Sequence, residues 1–169
     1  MRIRVLSRDD LLSVSRGKPK KSSSDKSLSR ELLDHINNYD YQPIRSIYPQ
    51  ISESELLEVD RSLAGKGLHK KLRSRWYDFR LQGFLNLPQV ELDWMIPDTL
   101  NFSAIDQANG VDRRPVALRI SSETERLLNI AAEHYSGKFG TPLANTKNFI
   151  VRLPFEYELL WSRLETSED

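Results

Sequence analysis

The sequence predicts an α+β fold, mostly helical with short strands and preceded by a flexible basic arm. Three observations predict it: apolar residues recur at helical spacing through most of the chain, two S-x-x-E pairs stand before such runs, and short alternating stretches interrupt them. The 169 residues, 38% of them hydrophobic, suffice for one core of ordinary size and are too few for two full domains.

Residues 1–27 read as the arm. Ile3 and Val5 alternate with Arg2 and Arg4 as in a short strand, but Ser13 to Ser29 holds too few apolar residues to bury. Its basic half, Arg16-Gly17-Lys18-Pro19-Lys20-Lys21, suits a segment that follows a phosphate backbone without reading it.

Residues 28–110 read as a helical region. Leu28, Leu32 and Ile36 fall at spacing four and end at Asn37-Asn38. Ser52 and Glu55 form a capping box for a helix 52–64 with Leu56, Val59 and Leu63 on one face, stopping at Gly65. After the Gly65-Lys66-Gly67 turn, a basic helix 68–82 places Leu68, Leu72, Trp76 and Phe79 in one stripe, with Lys70, Lys71, Arg73 and Arg80 largely off it and Gly83 closing it. Val90, Leu92, Trp94 and Ile96 alternate with Glu91, Asp93 and Met95, which predicts a half-buried strand at 90–96; Pro97 to Gly110 reads as a loop.

Residues 111–169 read as a strand followed by three helices. Val116, Leu118 and Ile120 alternate; Ser122 and Glu125 form a second capping box for a helix through Leu128, Ala131, Ala132 and Tyr135; and Gly137 and Gly140 end it. Thr141-Pro142 opens a helix toward Leu153, with a strand at Phe149-Ile150-Val151 as the competing reading. Pro154 should break the chain before a terminal helix through Phe155, Leu159 and Leu164. Residues 118–125 and 151–158 share Arg, Glu and Glu at an offset of 33, which marks either two strand–helix units or a chance match.

Charge is segregated beneath a formal net of +1: residues 1–30 net +6, 31–60 net −6, 61–80 net +6 and 81–110 net −4. A local excess of six within twenty residues can raise a surface potential of several kT, unless the acidic block folds back on the basic one.

Catalytic syntax is absent from the sequence. There is no cysteine, so disulfides, thiolate catalysis and cysteine zinc sites are excluded, and a reducing compartment is expected. His35, His69 and His134 have no ligand spacing, Gly65-Lys66-Gly67 is no phosphate-cradling loop, and no G-x-S-x-G elbow occurs. Glu91 and Asp93 would share one strand face, where charged residues ordinarily meet water. No cofactor or metal is expected. The start has no apolar run of signal-peptide length, and no stretch approaches the roughly 20 apolar residues of a membrane span, so a cytoplasmic location is expected and the Asn101-Phe102-Ser103 sequon is without consequence.

Two segments read as nucleic-acid elements. The basic helix 68–82 offers Lys70, Lys71, Arg73 and Arg80 to a DNA groove or its phosphates. The second is Arg114-Pro115-Val116-Ala117-Leu118-Arg119-Ile120-Ser121-Ser122-Glu123, followed by a helix and by another opening at Thr141-Pro142. This stretch, about forty residues, resembles the ribbon-helix-helix family of DNA-binding proteins. The resemblance implies that two chains pair this strand, that Ala117 and Arg119 face the bases, and that Thr141 lies near a phosphate; Arg114 adds charge at the strand's start. The connection from Gly137 to Pro142 is longer than the family's tight turn. The expectation is a non-enzymatic nucleic-acid-binding protein, for double-stranded DNA ahead of RNA, acting as a transcriptional regulator or an accessory subunit, as a homodimer or within a complex. The alternative is an interaction subunit that docks protein partners through acidic segments 31–60 and 91–106.

Overall fold

The computed structural model describes residues 23–97, 110 and 112–166. The expected short strand around Arg2–Val5, the basic run 16–21 and most of the expected loop before Gly110 lie outside the described residues. In chain order the elements are α1 (Ser23–Asn37), β1 (Pro43–Ile47), β2 (Gln50–Ile51), α2 (Glu53–Gly65), a 3-10 turn (Lys70–Leu72) and α3 (Arg73–Leu85). There follow α4 (89–97), β3 (Arg114–Pro115), β4 (Leu118–Ser121), α5 (Ser122–Phe139), α6 (Leu143–Ile150) and α7 (Leu153–Thr166). The fold class is the α+β, mostly helical one that the sequence predicts.

Helix α2 begins where the capping box sets it. The Glu55 N–H donates to Ser52 Oγ at 3.2 Å and Ser52 Oγ donates to Glu55 Oε1 at 2.8 Å, so the motif satisfies an otherwise orphaned amide at the helix start. Val59 and Leu63 then bury as the spacing requires. Replacing Ser52 by Ala should cost about 1 kcal/mol in a urea titration, the usual worth of an N-cap side chain.

Helix α3 is the centre of the molecule, packing against β4, α5 and α7. Trp76, Tyr77 and Leu81 are almost wholly buried. The Trp76 and Tyr77 rings lie 6.0 and 5.5 Å from that of Phe155 on α7, and the Tyr77 hydroxyl donates to the Val151 carbonyl. The helix starts at Arg73, after a 3-10 turn, and runs through Gly83 to Leu85, so Gly83 does not close it.

Residues 90–96 are helical, which corrects the predicted strand. Leu92, Met95 and Ile96 bury at spacings of three and four, while Val90 and Trp94, one turn apart, are 70% and 68% exposed. Both periods were compatible with the apolar set; the burial of Met95, counted on the wet side of the predicted strand, decides for the helix. Glu91 and Asp93 therefore do not form a pair on one strand face. Glu91 is buried, whereas Asp93 accepts from the Tyr135 hydroxyl at 2.8 Å and from Gln89 at 3.0 Å, joining α4 to α5.

The strands form two short antiparallel ladders in line. In the first, Ser46 faces Arg119 and Ile47 faces Leu118; in the second, Gln50 faces Pro115 and Ile51 faces Arg114. The Val116 N–H bonds the Pro49 carbonyl between them at 2.9 Å.

Beyond β4, the N-cap of α5 is Ser121, not Ser122, and its hydroxyl turns to Asp78 and Thr124. Gly140 ends this helix at φ 64°, a left-handed turn that glycine adopts without strain. Residues 149–150 are helical and 151–152 form a turn, so no strand occurs there. The 118–125 segment is strand then helix while 151–158 is turn then helix, so the echo does not mark two equivalent units. Pro154 sits in the first turn of α7, where its missing N–H costs nothing, and the chain breaks before it.

Candidate nucleic-acid interface

Ser46 of β1 pairs with Arg119 of β4, Ile44 sits where the register of β1 is interrupted by an irregularity, and Tyr48 and Ala117 are exposed just outside the paired segments. Ile44 and Tyr48 are 57% and 60% exposed. Arg119 is exposed between the buried Leu118 and Ile120, as a period of two requires.

Arg119 is held from both sides. Its N–H donates to Ser74 Oγ at 3.4 Å and its carbonyl accepts from the Tyr41 hydroxyl at 2.7 Å. The Ser121 N–H, two residues on, donates to Asp78 Oδ1 at 2.8 Å. One edge of β4 therefore pairs with β1 and the other is satisfied by side chains of α3 and Tyr41. The strand that the ribbon-helix-helix resemblance would pair with a second copy has both edges engaged within the chain.

Ser74 links this ribbon to the start of α3. Lys70 and Lys71 stand four and three residues before it, in the 3-10 turn that leads into the helix, and are exposed. Among the described residues neither lysine forms an ion pair, and neither does the Arg119 side chain. Arg75 lies beside them, its guanidinium 5.5 Å from the Tyr41 ring centroid, and it donates to the carbonyls of Ile36, Asn37 and Tyr39 at the C-terminus of α1. There it complements the negative end of the helix dipole. Burial raises the Tyr41 phenol above its ordinary pKa, while Arg119 and Arg75 act in the opposite sense. Arg45, on the same ribbon, is neutralised by Glu125 at 2.7 Å.

The other residues singled out by the sequence do not join this group. Arg73 is not a free cation: its Nε donates to Asp60 Oδ1 at 3.0 Å and its Nη2 to Oδ2 at 2.5 Å, with both side chains mostly covered. The acidic block does fold back on the basic helix at this point. Replacing Asp60 by Ala should leave that guanidinium without its carboxylate and lower stability by about 2 kcal/mol in denaturant unfolding, short of the 3–5 kcal/mol of a fully buried pair. Arg80 lies in a crevice against α7. Arg114 is 73% exposed but lies farther along the ribbon, 3.9 Å from Asp112. Thr141 lies beyond the far end of α5, whose 18 residues place it about 27 Å from β4 along the helix axis. Its carbonyl accepts from Ser136 Oγ at 2.6 Å, and no side-chain bond caps α6.

Sequence reasoning missed β1, and with it Ile44, Ser46, Tyr48 and the supporting Tyr41. A signal was present in Ile44, Ile47 and Tyr48, β-branched and aromatic residues bounded by Pro43 and Pro49.

The fold and this surface define a mostly helical α+β protein with a two-stranded ribbon beside a basic helix start. Compared with protein families, curated proteins and solved structures, the chain shows no significant match. Among the described residues no group of histidine and carboxylate side chains could hold a metal ion, and no helix is long and apolar enough to cross a membrane.

Proposed function

We propose that this chain is a non-enzymatic nucleic-acid-binding protein of the cytoplasm, directed at double-stranded DNA and acting as a regulator or as an accessory subunit of a DNA-processing assembly. The observation that carries the reading is the unpaired, exposed Arg119 on a two-stranded ribbon whose backbone bonds Ser74 in the first turn of α3, with the unpaired Lys70 and Lys71 in the 3-10 turn just before that helix. A ribbon can enter the major groove, where an arginine grips guanine, and lysines beside it neutralise phosphates. Tyr48 and Ile44 add exposed apolar surface to the same ribbon.

A titration of the full chain with mixed-sequence duplex DNA at two salt concentrations tests it. The expected result is binding whose logarithm falls with the logarithm of salt, with a slope of about −0.9 for each phosphate contacted. Absence of binding at low salt would end this reading.

One observation favours an interaction subunit instead. Val90 and Trp94 stand one turn apart on α4 and are both largely exposed, and an exposed tryptophan is a common anchor at protein interfaces. Under that reading, duplex DNA would not bind and Trp94→Ala would abolish capture of a protein partner.

A further inference from the structure

On another side of α3, where it meets α7 and the end of α2, a crevice of about 180 Å³ opens between Arg80, Lys66, Glu158, Phe84, Tyr157 and Trp161. Its charge is unbalanced. Glu158 is 5% exposed, and its Oε1 already accepts from Lys66 Nζ at 2.6 Å and from Ser62 Oγ at 2.6 Å. Arg80 is close enough to feel Glu158 electrostatically, yet among the described residues it forms no hydrogen bond and no ion pair. Two cations thus share one carboxylate whose Oε1 is engaged. Burial lowers the Arg80 guanidinium below its ordinary pKa, and Glu158 only partly counters this.

The Arg80 side chain is half-buried and its N–H groups have no protein acceptor among the described residues, so a carboxylate in the crevice would offer them a charge-assisted partner in place of water. Its planar fork matches a carboxylate through two parallel bonds. The wall beside it is aromatic: Phe84 is buried, its ring centroid is 5.1 Å from that of Tyr157, and Trp161 is half-buried. Size narrows the ligand further, since a cavity of roughly 150 Å³ accepts a benzene ring and drug-sized sites begin at about 300 Å³. The crevice itself is sized for one ring and its acid.

We propose that this crevice binds a carboxylate carried on a single aromatic ring, with the acid on Arg80 beside Lys66 and the ring against Phe84, Tyr157 and Trp161. The same chemistry is offered by a small aromatic acid and by a peptide that ends in phenylalanine. The site does not depend on the ribbon face, so it stands or falls separately from DNA binding.

Calorimetric titration of the full chain with 3-phenylpropionate, its amide, and a Gly-Gly-Ser-Phe peptide with free or amidated C-terminus tests the proposal. Saturable binding of the acids is expected, with the amides at least tenfold weaker. Arg80→Met should remove that preference for the acid, and Trp161→Ala should weaken acid and amide alike. If Arg80→Met does not fold, Arg80→Lys keeps the charge without the fork and should reduce acid binding by at least threefold. Tighter binding of the peptide than of the free acid would support the site with a chain terminus as its source, and the reverse would support it with a small acid. Equal binding of acid and amide, unchanged affinity in folded Arg80 variants, or no binding of either acid at about 10 mM, an affinity weaker than about 3 kcal/mol, would overturn it.

Discussion

Replacing Asp78 by Ala is expected to lower the stability of the protein by about 3–4 kcal/mol in urea unfolding. Asp78 is completely buried on α3 and accepts from the Tyr39 hydroxyl at 2.6 Å and from the Ser121 N–H at 2.8 Å. The second bond places the carboxylate at the N-terminus of α5, where the helix dipole favours negative charge by up to about 2 kcal/mol in partly buried geometry. Removing it leaves a buried amide without an acceptor, at about 1–3 kcal/mol. The two contributions overlap, and Tyr39 retains Gln82 as an acceptor, so the total stays below their simple sum. Burial, the bond to Asp78 and its charge together push the Tyr39 phenol well above its ordinary pKa, so it remains a donor throughout the working pH range. Asp78→Asn keeps an acceptor for Ser121 and should recover about half of the loss. Equal destabilisation by Ala and Asn would assign the effect to the negative charge alone.

Changing Lys70, Lys71 and Arg119 to Ala together should lower affinity for duplex DNA at low salt by at least tenfold, about 1.4 kcal/mol. The same variant should flatten the salt slope by up to about 1.8, the counterion release of the two lysine–phosphate contacts. All three side chains are exposed and unpaired among the described residues, so stability should shift by no more than about 0.5 kcal/mol per site. Arg73 is left out because its ion pair with Asp60 would confound binding with stability. A folded triple variant with wild-type affinity and slope decides against the ribbon as the interface. Arg119 alone carries a finer expectation: if it grips a base, Arg119→Lys should relax sequence preference while leaving the salt slope in place.

What the sequence by itself determined is what neighbouring residues decide among themselves. The Ser52–Glu55 box starts α2 and the i, i+3, i+4 set from Leu128 to Tyr135 buries α5; each depends on groups within a few residues, so each was legible. The stripe read for α3 was right for Trp76 but only partly for Phe79, and Tyr77, Leu81 and Phe84, outside it, are buried too. The strand β4 was legible from its alternation, but its partner was not. Pairing with Pro43–Ile47 joins segments more than seventy residues apart, and no local pattern records which strand lies alongside. The fate of the basic residues was equally remote from local sequence. Arg73 finds Asp60, Lys66 finds Glu158 at a separation of 92 residues, and Arg80 turns into the crevice beside that same carboxylate. Lys70, Lys71 and Arg119 stay outside. Composition sets how many charges a chain carries; packing decides which are neutralised, because an ion pair acts over a few ångströms in space regardless of the residues between its partners. Residues 90–96 failed for a related reason. Val90, Leu92, Trp94 and Ile96 satisfy a period of two, Leu92, Met95 and Ile96 satisfy a period of 3.6, and only the core that receives Met95 and leaves Trp94 in water chooses between them.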